Sequence, residues 1–459
     1  SLGVMTLLWS LVFVLAMVLT FLASIAFGEI ISPSLMVALP VIVSILFVFF
    51  QFLISPWIMD ITISWVYDAE KYDVGQLPPH IREFLYQQME MYNFSLKWVA
   101  IINDNNPNAF VYGHTKKRAR MVITKGILNY LGEDEQIAVV AHECGHIIHR
   151  DFIWMTVAAA IPLICYSFYQ GLITFARSTT YSKDEDAAKV GAAAFVVAVM
   201  AWLVYYLSHF LVLLLSRVRE YYADRHSAEV TGQPGALSRA LVKIAYGMIR
   251  AEAEQSAIVD NKDKYPVAER QKAARRRGFT IGMRALGIFD SRAARSLANA
   301  AYGTGVSDLN EEAVAKAASW DLTNPWGTFL ELFSTHPLPA KRIRSLNKLQ
   351  EERGQRPEFP GLGEIRPPES LWDEFLIDLF LMYVAPILWL ILPITFAAGF
   401  AFLNPYYSVI GMGVGCLAFA LVWKWRRKEK YPKIRDSDPI VTVVHCLTDM
   451  TKNSYYEAS

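Results

Sequence analysis

Charged residues and cysteines are scarce in this sequence. Only 19% of the 459 residues are charged, compared with about 25% in an ordinary soluble domain. Lys and Arg number 44 and Asp and Glu 43, so there is no basic excess of the kind that binds nucleic acid. The four cysteines, Cys144, Cys165, Cys416 and Cys446, have no paired spacing. This spacing argues against a disulfide framework or a cysteine-rich metal site.

The sequence contains several long apolar blocks with few charged residues. The mean hydropathy is +0.26, and 54% of the residues are hydrophobic. We therefore expect an α-helical integral membrane protein with about four to six transmembrane helices. The blocks long enough to cross a hydrocarbon core of about 30 Å are 4–27, 35–57, 152–176, 192–215, 375–403 and 406–425. The first lacks basic residues ahead of it and a cleavage site after it, so we expect it to remain as an anchor.

The blocks divide the chain into alternating apolar and polar segments. A single α+β domain must be assembled from two polar pieces, because the middle hairpin interrupts it. The predicted segments are a transmembrane hairpin at 1–58, the polar pieces 59–151 and 216–371, the middle hairpin 152–215, a C-terminal hairpin 372–427 and a tail 428–459. Residues 357–368, rich in Pro and Gly, are predicted to be the linker to the C-terminal hairpin.

Lys and Arg residues indicate the orientation in the membrane. The short links 28–34 and 404–405 contain none, whereas the basic runs at 116–120, 275–277 and 426–428 fall on the other side. Basic residues concentrate in cytoplasmic loops, so both polar pieces are predicted to be cytoplasmic. The run at 275–277 is either a solvated helix face or a contact with anionic lipid.

Two short strands and two helices are predicted in the first polar piece. Residues 108–113 and 119–124 have the pattern of strands joined by a basic turn, and a short helix follows at 126–131. Asp134 is the predicted N-cap of the next helix. The first strand either pairs with an extended peptide at a sheet edge or packs as an ordinary hairpin strand.

The helix after Asp134 carries the pattern H-E-x-x-H. His142 and His146 are four residues apart, so both imidazoles lie on one helical face and reach the same metal. Glu143 stands beside the position that a catalytic zinc site leaves open. His149 and Phe152 stand where a metzincin has Gly and His, which excludes that arrangement.

Glu220 is the predicted third ligand. The third apolar block begins six residues after His146, and the fourth ends five residues before Glu220. If both helices continue out of the membrane side by side, the two residues project about 7 to 9 Å from the same surface. Asp224 shares a face with Glu220 and is placed to accept the free N–H of a ligand histidine. The alternative is that both carboxylates pair with nearby arginines, namely Arg217, Arg219 and Arg225.

The sequence resembles the HtpX-type membrane zinc metalloproteases, which are related to the CAAX prenyl proteases. The motifs that carry this resemblance are 108–110, 142–146, 216–220 with Ala223 and Asp224, and 334–337 followed by Arg342 and Ile343. It implies a gluzincin-like domain with one zinc ion on His142, His146 and Glu220. It also implies that Glu143 is the base and that Asn108, Ala109 and Phe110 form an edge strand that receives the substrate.

The role of the last motif is less defined. His336 and Arg342 are candidate donors to the oxyanion of a tetrahedral intermediate. For His336 the alternative is a turn residue that caps the helix after Pro337. The C-terminal hairpin and tail depart from the family pattern, which has four spans.

The resemblance implies a zinc endopeptidase that acts at the cytoplasmic surface of the cell membrane. Its expected partners are polypeptide substrates, above all membrane or misfolded proteins handled in quality control, and the lipid bilayer. One alternative is a CAAX-type peptidase for a lipidated C-terminus. Another is a catalytically silent membrane scaffold, against which the intact Glu143 argues, because metal binding does not require that carboxylate.

Overall fold

The structure is a computed structural model of the chain. It describes residues 33–65, 67–180, 185–260, 266–267, 270–271, 274, 311–363 and 372–380. The predicted spans 4–27 and 406–425, most of the span 375–403, the basic run at 275–277 and the tail lie outside these residues. The described residues form two compact units, one within 33–322 and 330–363, the other comprising 323–329 and 372–380.

Three described helices are long and apolar enough to cross a membrane. They are α1 (Pro33–Trp65), α5 (Asp151–Thr180) and α6 (Glu185–Thr231), and their apolar stretches are Val41–Trp65, Asp151–Arg177 and Ala188–Thr231. Large apolar side chains on their outer faces, such as Trp154, Val196 and Leu207, are about 60% exposed. Their inner faces bury Leu163, Tyr166 and Tyr205. This distribution is that of helices surrounded by lipid, and it places three predicted spans in helices.

A four-stranded sheet forms the centre of the larger unit. Its strands are β1 (Glu70–Tyr72), β2 (Leu96–Ile102), β3 (Ala109–Tyr112) and β4 (Ala119–Thr124), in the order β1-β2-β4-β3. β3 and β4 form the predicted antiparallel hairpin, with Phe110 opposite Val122, while β2 and β4 are parallel. β3 is therefore an edge strand of this sheet.

Helices cover both faces of the sheet. One face packs against α2 (Pro79–Tyr92), α3 (Lys125–Tyr130) and α4 (Glu133–Ile148), and buries Val99, Met121 and Ile123 in the main core. The other face packs against Ile63 at the end of α1. The N-cap of α4 is Gly132, whose N–H donates to Glu135 Oε2 at 2.8 Å. The prediction of Asp134 as N-cap is wrong. Asp134 lies in the first turn of α4, where its negative charge interacts favourably with the positive end of the helix dipole.

Further described helices follow in the second half of the chain. They are α7 (Pro234–Asp260), α8 (Glu311–Thr323), α9 (Pro325–Glu331), α10 (Pro339–Glu352) and α11 (Trp372–Leu379). Residues 357–363, the described part of the predicted linker, pack on α10. Phe359 is fully buried, and its carbonyl accepts a 2.7 Å hydrogen bond from Asn347 Nδ2. Cys144 and Cys165 are free thiols, as predicted.

Candidate metal centre

Helix α4 presents His142, Glu143 and His146 towards a cavity of about 400 Å³. His142 and Glu143 are 1% and 3% exposed, and the two imidazole rings meet edge to face with centroids 4.8 Å apart. This arrangement follows from the four-residue spacing, which stacks the two rings on one helical face.

Glu220 on α6 joins the two histidines. His146 Nε2 lies 3.2 Å from His142 Nε2 and 3.6 Å from Glu220 Oε1, and His142 Nε2 lies 3.4 Å from Glu220 Oε2. Ligands about 2.05 Å from a tetrahedral zinc ion are separated by about 3.3 Å. The three groups therefore have the mutual spacing of a zinc ligand set, as well as its chemistry.

Two further observations fit a cation at this point. Glu220 Oε2 is buried, and no described donor hydrogen-bonds to it. A buried carboxylate oxygen without a hydrogen bond is costly, and a metal ion would add to its charge contacts with His142 and Arg342. Burial alone would lower the pKa of His142, but its contacts with Asp224 and Glu220 raise that pKa to about 9. The surroundings thus stabilise positive charge.

A close helix crossing brings Glu220 to α4. A Cβ built on Gly145 would lie 3.0 Å from the Cα of Ala223 and 3.3 Å from the Cβ of His226. The two helices approach this closely only because position 145 has no side chain. Glu220 is nearly one turn before Ala223, which places its carboxylate beside His142 and His146.

Each histidine has a carboxylate behind it. Asp224 Oδ1 lies 2.9 Å from His142 Nδ1, and Asp151 Oδ2 lies 2.6 Å from His146 Nδ1. An ionised carboxylate only accepts hydrogen bonds, so each Nδ1 atom carries a proton, and in the neutral ring that binds a metal the lone pair is then on Nε2. The contact of Asp224 is the predicted one.

Asp151 was not identified from the sequence. We expected the H-E-x-x-H helix to continue straight into the third span, but α4 ends at Ile148 and α5 begins at Asp151. Arg150 between them has φ +58°, a left-handed conformation that interrupts the helix before α5 begins. The sequence signal that could have identified Asp151 is its position, an acidic residue five positions after His146.

Arg342 lies behind the candidate metal ligands. It is completely buried, and its Nε and Nη2 donate to Asp224 at 2.8 and 2.6 Å. Its Nη1 lies 3.5 Å from Glu220 Oε2. Arg342 is not among the residues that line the cavity, so this position suits it to hold Asp224 and Glu220 rather than to contact a substrate.

The arginines near Glu220 in sequence pair elsewhere. Arg217 donates to the carbonyl oxygens of Glu331 and Ser334. Arg219 donates to the carbonyl oxygen of Asp151 at 3.0 Å, and Arg225 pairs with Glu229 at 2.8 Å. The alternative in which these three arginines neutralise Glu220 and Asp224 is therefore not the arrangement observed.

His336 reaches the cavity from the loop before α10. Its Nε2 lies 3.8 Å from Glu220 Oε1, and its ring lines the same cavity as Glu143. The N-cap of α10 is Leu338, so the alternative of a capping role for His336 is wrong. His149 is exposed at the end of α4 and contacts the rings of Tyr222 and His226.

The predicted substrate strand borders the cavity with its second half. Asn108, Ala109 and Phe110 are buried and are not among its lining residues, whereas Val111, Tyr112 and Gly113 are. The part of the strand that lines the cavity therefore begins directly after the predicted motif.

Glu143 is the buried carboxylate beside the two histidines. Burial raises the pKa of Glu143, an effect that His146 and His142 oppose.

Comparisons with known proteins agree with this geometry. Residues 78–350 match the description of peptidase family M48. A protease HtpX homolog of Methanothermobacter thermautotrophicus is 38% identical over 199 residues, which cover 43% of this chain and 69% of that protein. The protease HtpX homolog of Aeropyrum pernix is 31% identical over 261 residues, covering 56% and 70%.

One solved structure also matches weakly. The crystal structure of Ste24p from S. mikatae has a TM-score of 0.32 and 15% identity, over 57% of this chain and 66% of that chain. This level of likeness carries no argument about the site.

Proposed function

The chain belongs to peptidase family M48 and is a membrane metalloprotease, and on this premise we propose that it is a zinc-dependent endopeptidase of the gluzincin type. One zinc ion would be held by His142, His146 and Glu220. The observation that carries this proposal is the convergence of two Nε2 atoms and one carboxylate at 3.2 to 3.6 Å, beside Glu143.

Glu143 is the proposed general base. When bound, zinc would act as a Lewis acid that polarises the scissile carbonyl and makes water more acidic. Glu143 takes a proton from the attacking water and returns it to the departing amine. The raised pKa of the buried Glu143 suits both steps, because proton transfer is most effective when the pKa of the catalytic group is near the working pH.

Other polar residues of the site are proposed to bind the oxyanion or to hold the histidines in place. His336 faces the cavity and is the proposed donor to the carbonyl oxygen as it becomes negative. Asp224 and Asp151 hold the two imidazoles by their Nδ1–H groups. Arg342 fixes Asp224, so we propose for it a positioning role in place of oxyanion binding.

The substrate is a polypeptide, and we propose that it binds as an added strand. β3 is the edge of the four-stranded sheet, and its second half borders the cavity. An extended peptide pairing with β3 would gain backbone hydrogen bonds that do not depend on its sequence. Asn108, Ala109 and Phe110 would place this strand, and Val111 to Gly113 would be nearest the scissile bond.

The proposed site of action is the cytoplasmic surface of the cell membrane. The apolar helices α1, α5 and α6 support a membrane protein, and the distribution of Lys and Arg supports the orientation. Membrane or misfolded proteins handled in quality control are the proposed substrates. No specific observation favours the CAAX-type peptidase or the silent scaffold.

Metal analysis combined with an activity assay tests the proposal. The purified full-length chain should contain one zinc ion and cleave casein, and a chelator should abolish cleavage until zinc is added back. Cleavage that persists after the metal has been removed would rule out the mechanism. A metal-free protein that neither binds zinc nor gains activity with it would rule out the ligand set.

A further inference from the structure

Proline 56 removes a backbone donor from membrane helix α1. Proline has no N–H, so the carbonyl of Phe52, four residues earlier, receives no hydrogen bond from position 56. At the edge of a bilayer such a carbonyl requires another donor. His114, in the turn after β3, supplies it, because its Nε2 lies 2.9 Å from the carbonyl oxygens of both Phe52 and Leu53. Ser55 Oγ is a longer second partner at 3.3 Å.

The contact defines the role of the His114 ring. Both carbonyl oxygens only accept hydrogen bonds, so Nε2 must carry a proton. The imidazole also meets the Phe52 ring edge to face, with centroids 5.1 Å apart. His114 thus attaches the β3–β4 turn to α1 through a polar and an aromatic contact.

A second attachment lies about two turns further along α1. The carboxylate oxygens of Asp60 lie 2.9 Å from Tyr112 Oη and 2.9 Å from Arg120 Nη2. Tyr112 ends β3, and Arg120 faces it across the β3–β4 pair. The end of the edge strand is therefore fixed to α1 at Tyr112 and at His114, on either side of Gly113, which lines the cavity.

The space between α1 and β3 is part of the catalytic cavity. Phe52, Pro56 and Met59 line it from α1, and Val111 and Gly113 line it from the strand side. The proposed metal ligands line the same cavity. The separation of α1 from β3 therefore sets the width available to a peptide that pairs with the strand.

We propose that Pro56 and His114 form a docking pair that holds edge strand β3 at a fixed distance from membrane helix α1. Pro56 exposes the Phe52 carbonyl, and His114 binds it. Both are positioning residues, since they act on the strand and not on the scissile bond. The inference rests on the proposed peptidase function, in which β3 receives the substrate.

A double-mutant cycle tests the docking pair. His114→Phe keeps an aromatic ring and removes the donor, while Pro56→Ala returns an N–H to the Phe52 carbonyl. For the full-length zinc-loaded protein and a fluorogenic peptide, His114→Phe should raise KM about 5- to 10-fold, the value of one hydrogen bond, with little change in kcat. In the Pro56→Ala background the same substitution should have almost no further effect, because the carbonyl already has a donor. His114→Gln, which retains an N–H donor, should recover part of the loss.

Amide hydrogen exchange measures how firmly the β3–β4 turn is attached to α1, independently of enzyme activity. Amides of residues 113–119 should exchange faster in His114→Phe than in the wild type or in His114→Gln. The matched controls are His80→Phe, which removes the histidine contact with Gln136, and Pro162→Ala, which removes the proline inside α5. Neither control should change KM or the exchange of this turn.

Three results would overturn the docking pair. They are an equal rise in KM in both Pro56 backgrounds, a loss confined to kcat, and a loss of zinc that parallels the loss of activity. Failure of the peptidase function is a different result. In that case the zinc-loaded wild type would leave the peptide intact, but residues 113–119 would still exchange faster in His114→Phe than in the wild type.

Discussion

Glu143 and the three proposed ligands are neighbours with separable roles. Glu143 is placed to move protons, whereas His142, His146 and Glu220 are placed to hold the metal. Glu143→Gln keeps the size of the side chain and removes the base. We expect a full complement of zinc and a fall in kcat of about 10²- to 10⁴-fold, the range for loss of a general base. Metal analysis and casein cleavage measure the two effects, and retained cleavage would exclude the assignment.

Glu220 is the ligand whose removal should release the metal. Glu220→Ala leaves two imidazoles, which are too few for a stable site with an open position. We expect zinc to be lost on dialysis, as measured by elemental analysis of the purified protein. Glu229→Ala is the matched control, because Glu229 lies on the same helix and pairs with Arg225 in an exposed contact. Zinc retained by Glu220→Ala would remove Glu220 from the ligand set.

Asp151 should tune affinity without being a ligand. Asp151→Asn keeps the shape and weakens the hold on His146 Nδ1–H, so we expect zinc affinity to fall about 10- to 100-fold. Competition with a chromogenic chelator measures this change. Asp186→Asn, an exposed carboxylate on α6, is the control. An unchanged affinity in Asp151→Asn would show that the 2.6 Å contact has no effect on the metal.

Spacing along the chain predicted some of these residues and not others. The pair His142 and His146 follows from helical periodicity alone, and Glu220 from the lengths of the two apolar blocks. Asp151 and the inward position of Arg342 depend on the left-handed turn at Arg150 and on a contact between residues 118 positions apart. No local pattern contains such information.

At the scale of elements, the crossing of α4 and α6 determines whether the site forms. Gly145→Ala would place a methyl group 3.0 Å from the Ala223 backbone, so one helix must shift. We expect a loss of stability of about 1 to 3 kcal/mol, as for other overpacked cores, together with weaker zinc binding. Gly132→Ala, at the start of the same helix, is the control for zinc binding: its nearest neighbour is 3.8 Å away, so the loss of a favourable N-cap lowers stability without separating α4 from α6. Thermal unfolding with and without zinc measures both effects, and equal behaviour of the two variants would contradict the crossing argument.

Elements were predictable where a local pattern is strong. Alternation and turn residues located β3 and β4, and apolar length located α1, α5 and α6. The N-cap of α4 and the packing of residues 357–363 were not predictable, since both depend on which neighbours surround them. The N–H of Gly132 donates to Glu135, and Phe359 lies in the main core, where its carbonyl accepts a hydrogen bond from Asn347.

At the scale of the whole molecule, α6 connects the membrane to the site. Its 47 residues extend roughly 70 Å, more than twice the thickness of about 30 Å of a hydrocarbon core. A helix of this length can extend beyond the bilayer at the end that carries Glu220. The distribution of basic residues predicts that this end is on the cytoplasmic side.

Protease access in sealed vesicles tests that orientation. A tag after Ser459 follows the basic run at 426–428, so it should be cut only when protease is on the cytoplasmic face. A cleavage site inserted in the link 28–34, which lacks Lys and Arg, should show the opposite pattern. Comparing right-side-out with inverted vesicles supplies both measurements from one preparation. Cutting of the tag from the outer face would reverse the orientation, and the proposed substrates would then be extracytoplasmic.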